Sequence, residues 1–227
     1  MNLTYTIQRS TRRKKLTITV EHDRSILVHA PQSATDESIH LAVESSRQWL
    51  FTKLNHPRKY QLPAHPPGKG LVNGESALYL GQEYRIEIAE TPSGQIEFSR
   101  GFRIPSAIQA KGRPALRDWY IVQAKQTILP KVAQRARELG VVYSGAKVVD
   151  SRYQCGSCTV KNNITFNWRL IKAPPFVVDY IIVNELAHLL EGNHTAAFWN
   201  IVRANAAAME KAKAWLRENG QLLEQEL

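Results

Sequence analysis

Apolar and polar residues alternate through the first thirty positions with the period of two that β-strands require. Leu16, Ile18 and Val20 fall on one face of a strand, and Ile26 and Val28 fall on one face of the next. Short polar segments separate these runs, as turns separate strands. The pattern therefore predicts a β-meander at the start of the chain.

A helix is predicted over residues 33–57. This stretch opens with residues that cap helices, carries acidic side chains in its first turn and repeats apolar residues near helical spacing. Residues 57–75 are rich in proline and glycine, which predicts a loop. The stretches ALYLGQEYRIEIAE and GQIEFSRGFRIP then return to strand patterning. We therefore predict a β-rich N-terminal domain with one helix over residues 1–108.

The second half of the chain is patterned mainly for helices. A long helical pattern ends at Gly140, and a pair of short strands is predicted within residues 146–170. Pro174 precedes a strongly apolar helix, and Thr195 can cap a last helix near the C-terminus. These elements predict an α+β fold, with a second domain over residues 109–227.

The composition is that of a folded chain with a sizeable core, since 43% of the 227 residues are apolar. No run approaches the ~18 apolar residues of a membrane helix, and the first residues lack the apolar segment of a secretory signal. We therefore expect a cytoplasmic protein without a membrane partner. In that compartment, Cys155 and Cys158 are not expected to form a structural disulfide.

The formal net charge of +10 favours polyanionic partners. The dense part of this charge is the segment RSTRRKK, which contains Arg9, Arg12, Arg13, Lys14 and Lys15. A short basic cluster is either a solvated turn or a weak nucleic-acid contact. Both interpretations stay open at the level of sequence.

The stretch VVDYIIVNELAHLLEGNHTAAFW carries the candidate chemistry. Residues four apart share one face of a helix, so Asn184 and His188 point to a common spot with Glu185 beside them. In the motif His-Glu-x-x-His, the two histidines bind zinc and the glutamate acts on the attacking water. His194 follows shortly and can supply a further ligand. Burying Glu185 and His188 without partners would cost several kcal/mol, which favours a metal site.

From CGSC to AAFW, the chain resembles the YgjP-like metallopeptidase-fold family, which is related to the SprT-type and zincin hydrolases. Members typically read Arg-Trp-Gly-Ser-Cys, Asn-Trp-Arg-Leu, His-Glu-Leu-Ala-His and Asn-His-Ser-x-x-Phe-Trp. The resemblance implies a zincin-like hydrolase domain with a small sheet and an active-site helix over residues 109–227. It also implies that Glu185 is the catalytic acid and base, and that His188 and His194 bind the metal.

This sequence departs from the family pattern at two places. Asn184 stands where the first histidine ligand is expected, and Gln154 and Cys155 stand where the family has arginine and tryptophan. An amide oxygen is a weak ligand for zinc. The resemblance therefore implies a metal-dependent hydrolase, with zinc or another divalent metal, whose site Asn184 has weakened or silenced.

Peptides are the first substrate class that the resemblance implies. Nucleoside triphosphates, cleaved by a pyrophosphatase reaction at the same site, are the alternative substrate. A different alternative is a non-catalytic nucleic-acid-binding protein with a structural zinc held by Cys155, Cys158, His188 and His194, since their spacing is compatible with a Cys2His2 site.

Charged residues near these motifs have candidate roles of a second kind. Arg169 could orient a substrate carboxylate or phosphate, or form an ion pair with Asp179 or Glu191. Asp150 and Asp179 could accept hydrogen bonds from the imidazoles and fix their orientation.

Overall fold

The N-terminal unit consists of one small sheet and two short helices. A computed structural model describes residues 3–20, 25–54, 70–151 and 154–224. Contacts between Cα atoms divide the chain into two units, Met1–Ala64 and His65–Leu227. The elements of the first unit are β1 (Tyr5–Ser10), β2 (Thr17–Val20), β3 (Ile26–Pro31), α1 (Asp36–Ser45) and α2 (Arg47–Leu54).

The first sheet is not the predicted meander. Its order is β1-β3-β2, with β1 parallel and β2 antiparallel to β3. Strand β3 takes the centre because Ile26, Val28 and Ala30 alternate on its buried face. The predicted single helix is also two helices, which meet at Ser46. Most of the predicted loop, residues 57–69, lies outside the described residues.

The second unit contains two sheets and four long helices. Its strands are β4 (Ser76–Tyr79), β5 (Gln82–Ala89), β6 (Glu97–Phe98), β7 (Phe102–Pro105), β8 (Gly145–Val149), β9 (Gly156–Cys158) and β10 (Asn163–Asn167). Its helices are α3 (Gly112–Leu139), α4 (Pro175–Ala187), α5 (Ala196–Asn205) and α6 (Met209–Glu224), with 3₁₀ turns at Ser106–Lys111 and Trp168–Lys172. This mixture of helices and small sheets confirms the predicted α+β fold.

Helix α3 organises the core of this unit. A buried residue recurs every four positions along it, so that one stripe of the helix packs against α4 and the sheet of β8. The other sheet, ordered β4-β5-β7-β6, joins the same core, since the ring centroids of Tyr79 and Trp119 lie 5.2 Å apart. The contact division therefore falls at residue 64 and differs from the predicted domain boundary at residue 108.

Helix α4 lies in the core and is apolar on nearly every side. It begins at Pro175, where the proline ring fits the first turn of a helix. It packs on α3, α5, α6 and strand β9. The predicted last helix is two helices, because the chain leaves helical geometry at Ala206. Across the described residues, no helix is long and apolar enough to cross a membrane.

Candidate metal centre

Glu185 is buried in α4 and lies against the first residue of β9. Its exposed fraction is only 8%. A Cβ atom built on Gly156 would lie 2.7 Å from Cγ of Glu185 and 3.0 Å from its Oε1. Glycine at position 156 therefore leaves the space that the carboxylate occupies. Sequence reasoning did not assign this role, because nothing local connects a glycine in a short strand with a helix thirty residues later.

Burial also sets the protonation of this carboxylate. Removal from water disfavours the charged form and raises the pKa of Glu185 to about 7. Burial, and then the charge of Glu185, raise the pKa of the Cys158 thiol. At neutral pH, Glu185 can therefore both accept and release a proton, which is the property of a general acid and base.

His188 and His194 come together beside the end of α4. His188 is the residue directly after the helix and keeps helical geometry, with φ −65° and ψ −16°. The chain then turns, with the backbone N–H of Glu191 donating to the carbonyl of Ala187 at 3.0 Å. The two imidazole centroids lie 4.7 Å apart, with ring planes at 76°. Burial, and then the neighbouring His194, lower the pKa of His188, which favours the neutral ring that can bind a metal.

Aromatic side chains of α5 hold both imidazoles. The Phe198 ring centroid lies 4.5 Å from that of His188 and 4.6 Å from that of His194. The indole of Trp199 stacks on His194 at 5.4 Å, with an interplanar angle of 20°. Thr195 caps α5 by accepting a hydrogen bond from the N–H of Phe198 at 3.3 Å. These two aromatic residues were predicted only as core residues, although their spacing after His194 gives the signal for the contact.

The donor set fits a divalent metal in part. Two imidazoles converge, and Asn184 lies on α4 one helical turn before His188. Within the described ranges, no group of three or more side chains from His, Cys, Asp and Glu is arranged to hold a metal ion. Two strong ligands are therefore present, and the third position of a three-ligand zinc site carries a neutral amide.

The structure does not support the alternative Cys2His2 site. Cys155 directly precedes β9, and Cys158 ends it opposite Ile164. Both carry thiols and are partly buried. Side chains three residues apart in an extended strand point to opposite faces, so this pair does not converge on the imidazoles. The two cysteines and two histidines are accordingly not among any metal-holding group in the described chain.

The predicted imidazole partners are engaged elsewhere. Asp179 accepts hydrogen bonds from Arg135 at 2.8 Å and 2.5 Å. Asp150 accepts hydrogen bonds from Arg117 and Arg169. Arg169 therefore forms its ion pair with Asp150, and not with Asp179 or Glu191 as the sequence suggested.

The basic cluster lies in the turn between β1 and β2. Arg9 donates to Asp36 and to the carbonyl of Ala34, which ties it to the start of α1. The remaining members face solvent, as they do in a solvated turn: Arg12, Arg13, Lys14 and Lys15.

The sequence model of the YgjP-like metallopeptidase domain matches residues 14–219. The structure is also similar to the metallopeptidase zymogen of Pyrococcus abyssi abylysin, with 18% identity, 40% of this chain and 94% of that chain covered, and a TM-score of 0.35. The corresponding values for the zymogen of Methanocaldococcus jannaschii jannalysin are 20%, 40%, 95% and 0.35. A comparison with curated proteins finds no match. The family match extends over most of the chain, and it supports metal-dependent hydrolysis at the level of the family. The chain therefore belongs to the YgjP-like metallopeptidase-domain family.

Proposed function

We propose that this protein is a metal-dependent peptide hydrolase with a weakened metal site. His188, His194 and Asn184 would hold the metal, and Glu185 is the general base. The observation that carries the proposal is the imidazole pair, 4.7 Å between centroids, at the end of the helix that buries Glu185. The family match supplies the reaction class.

Each residue has a separate task in the proposed reaction. A divalent metal in such a site polarises the scissile carbonyl and lowers the pKa of water toward ~7. Glu185, with its pKa raised by burial to about 7, takes the proton of the attacking water and delivers it to the leaving amine. Gly156 keeps the space around that carboxylate open. Phe198 and Trp199 hold the imidazoles in place through ring contacts.

Asn184 determines how strongly the metal is held. Its amide oxygen is neutral, whereas zinc sites in proteins use imidazole, thiolate and carboxylate ligands. The affinity for zinc should therefore be low, and the preference should shift toward metals that accept carbonyl oxygen. Peptides are the proposed substrates because the family is one of metallopeptidase domains.

Zinc titration of three proteins tests the metal site. Asn184→His should bind zinc about tenfold or more tightly than the unmodified protein, because it adds an imidazole on the face of α4 that carries His188. The double variant Cys155→Ser, Cys158→Ser should bind zinc as the unmodified protein does. Calorimetry under reducing conditions measures all three. Tight stoichiometric zinc binding that is lost in the double variant would refute the proposed site.

Replacement of the proposed base tests the reaction. Glu185→Gln in the Asn184→His background should keep its zinc affinity and lose about 10²- to 10⁴-fold in turnover, because the amide cannot take a proton. Hydrolysis of a mixture of unstructured peptides, followed by mass spectrometry, gives the rates. Glu210→Gln is the matched control, since that carboxylate is exposed. Equal turnover in the Glu185→Gln protein would remove Glu185 from the mechanism.

A further inference from the structure

Two arginines share one carboxylate at the edge of the second small sheet. Nη2 of Arg117 lies 2.7 Å from Oδ2 of Asp150, and Nη1 of Arg169 donates to Oδ1 of the same residue. The exposed fractions of these side chains are 49% for Arg117, 18% for Arg169 and 38% for Asp150. We call these three residues the two-arginine cluster. It is held by the core on one side and open to water on the other.

The cluster carries an excess of positive charge. One carboxylate neutralises one guanidinium, and two guanidinium groups present many more N–H donors than two carboxylate oxygens can accept. Trp168 fixes the orientation of Arg169, whose Cζ lies 4.5 Å from the indole centroid. A second observation supports a positive local field: burial, and then the charge of Arg169, lower the pKa of Lys172 to about 7.

The cluster lies at the end of the sheet where Gly156 contacts Glu185. Strands β8 and β10 are parallel, with Val149 opposite Asn167, so Asp150 and Arg169 follow their carboxyl ends. Strand β9 is antiparallel and begins at that same end. The side chain of Asn167 joins the two, because its Nδ2 donates to the carbonyls of Ser151 and Gln154.

The spacing between strands gives the distance. Asp150 and Gly156 are separated by two strand spacings, which is about 10 Å at about 4.8 Å each. An extended peptide advances about 3.3 Å per residue, so it crosses this interval in about three residues. A peptide bound with its scissile bond at Glu185 can therefore place an anionic group at the two-arginine cluster.

We propose that the two-arginine cluster is a substrate subsite that binds a peptide carboxylate, about three residues from the scissile bond. The carboxylate is either an acidic side chain or the C-terminus. A guanidinium binds such a group through paired N–H donors, and Arg117 has the greater access to solvent. The substrate class rests on the proposed peptidase function, whereas the anion preference rests on the cluster itself.

Peptide binding tests the subsite without requiring turnover. The Glu185→Gln protein, with zinc, is titrated with three matched hexapeptides in a calorimeter. One is capped at both ends and contains a single glutamate, one has glutamine in its place, and one has glutamine with an uncapped C-terminus. At least one anionic peptide should bind about tenfold more tightly than the neutral peptide, as expected for a charge-assisted hydrogen-bonded pair. Which of the two binds more tightly identifies the source of the carboxylate.

Substitution of Arg117 then assigns the preference to the cluster. Arg117→Gln should reduce the anionic preference to about twofold or less and leave the dissociation constant of the neutral peptide unchanged. Arg117→Lys, which keeps the charge and loses the planar fork, should retain part of it. Arg137→Gln is the matched control, because it removes one exposed arginine from the far end of the same helix. Melting temperatures of all variants establish that they remain folded.

Two results would overturn the subsite. One is an anionic preference that Arg117→Gln does not change, and the other is the absence of any preference, including the absence of measurable binding. Turnover by the Asn184→His protein separates these failures from that of the proposed function. Hydrolysis of the peptides without an anionic preference refutes only the subsite. An Arg117-dependent preference without hydrolysis by that protein supports the subsite and refutes the hydrolase.

Discussion

At the scale of single residues, the burial of Glu185 ties the stability of the protein to pH. The pKa of this carboxyl rises from an ordinary value of 4.5 to about 7 because the core excludes water from it. The folded chain therefore holds the proton more tightly than the unfolded chain does. Linkage then requires the contribution of Glu185 to be most favourable below pH 4.5 and to be lost as the pH rises through about 7.

This linkage can be measured on the metal-free protein. Between pH 4.5 and pH 7, the unfolding free energy should fall by up to about 3 kcal/mol relative to that of Glu185→Gln, which has no proton to release. Urea unfolding at several pH values gives both curves. Glu210→Gln, with its exposed carboxyl, should follow the unmodified protein. Parallel curves for the unmodified and Glu185→Gln proteins would contradict a raised pKa.

Much of the site at this scale follows from spacing alone. The four-residue interval places Asn184 and His188 on one face of α4, and the short segment after the helix returns His194 to them. The contact between Gly156 and Glu185 could not be predicted in this way. It depends on the packing of β9 against α4, and no local pattern specifies which strand covers a helix.

At the scale of elements, the approach of β9 to α4 is set by the missing side chain at position 156. Gly156→Ala would place a methyl group within 2.7 Å of Cγ of Glu185, so the carboxylate or the strand must move. Because a displacement of about 1 Å can cost about 10²-fold in rate, turnover should fall by 10- to 100-fold in the Asn184→His background. Zinc affinity should change little, since Glu185 is not a proposed ligand.

The same activity assay and zinc titration check this expectation. Gly220→Ala serves as the control, because a Cβ atom there meets nothing within 4 Å. Full turnover in the Gly156→Ala protein would show that the strand yields and that the glycine has no positioning role.

Strand pairing could be predicted less well than the elements themselves. Alternation marks β1, β2 and β3 as strands, but the parallel pairing of β1 with β3 depends on a connection that crosses the sheet. The division between α5 and α6 lacks a proline or glycine that would mark it. Local patterns record burial and caps, whereas pairing partners are chosen by tertiary packing.

At the scale of the whole molecule, the residues of the candidate site belong to a unit with its own core. The buried cluster of that unit extends from Leu71 to Leu223 and contains α4. Residues 65–227 should therefore fold without the first unit and bind zinc, in the Asn184→His form, as the full chain does. Circular dichroism melting and zinc titration of the fragment provide the check. A fragment without a cooperative transition would show that the first unit is needed for folding.

The position of this division was not evident from the sequence. The loop-rich stretch and the change from strands to helices both mark segment boundaries, and the change near residue 108 is the more conspicuous of the two. Its strands nevertheless share aromatic contacts with α3, such as Phe102 with Trp119 at 5.1 Å. A change of secondary structure along a chain carries no information about which core a strand joins.

Asn184 also has a meaning in terms of heredity. The codons for asparagine and histidine differ only in their first base, so a single nucleotide change at position 184 supplies the imidazole. The rest of the arrangement is already in place, with the buried Glu185, the paired rings of His188 and His194, and the open space at Gly156. A gene that encodes this chain therefore lies one mutational step from a complete set of ligands, and selection for hydrolysis would need to act on that step alone.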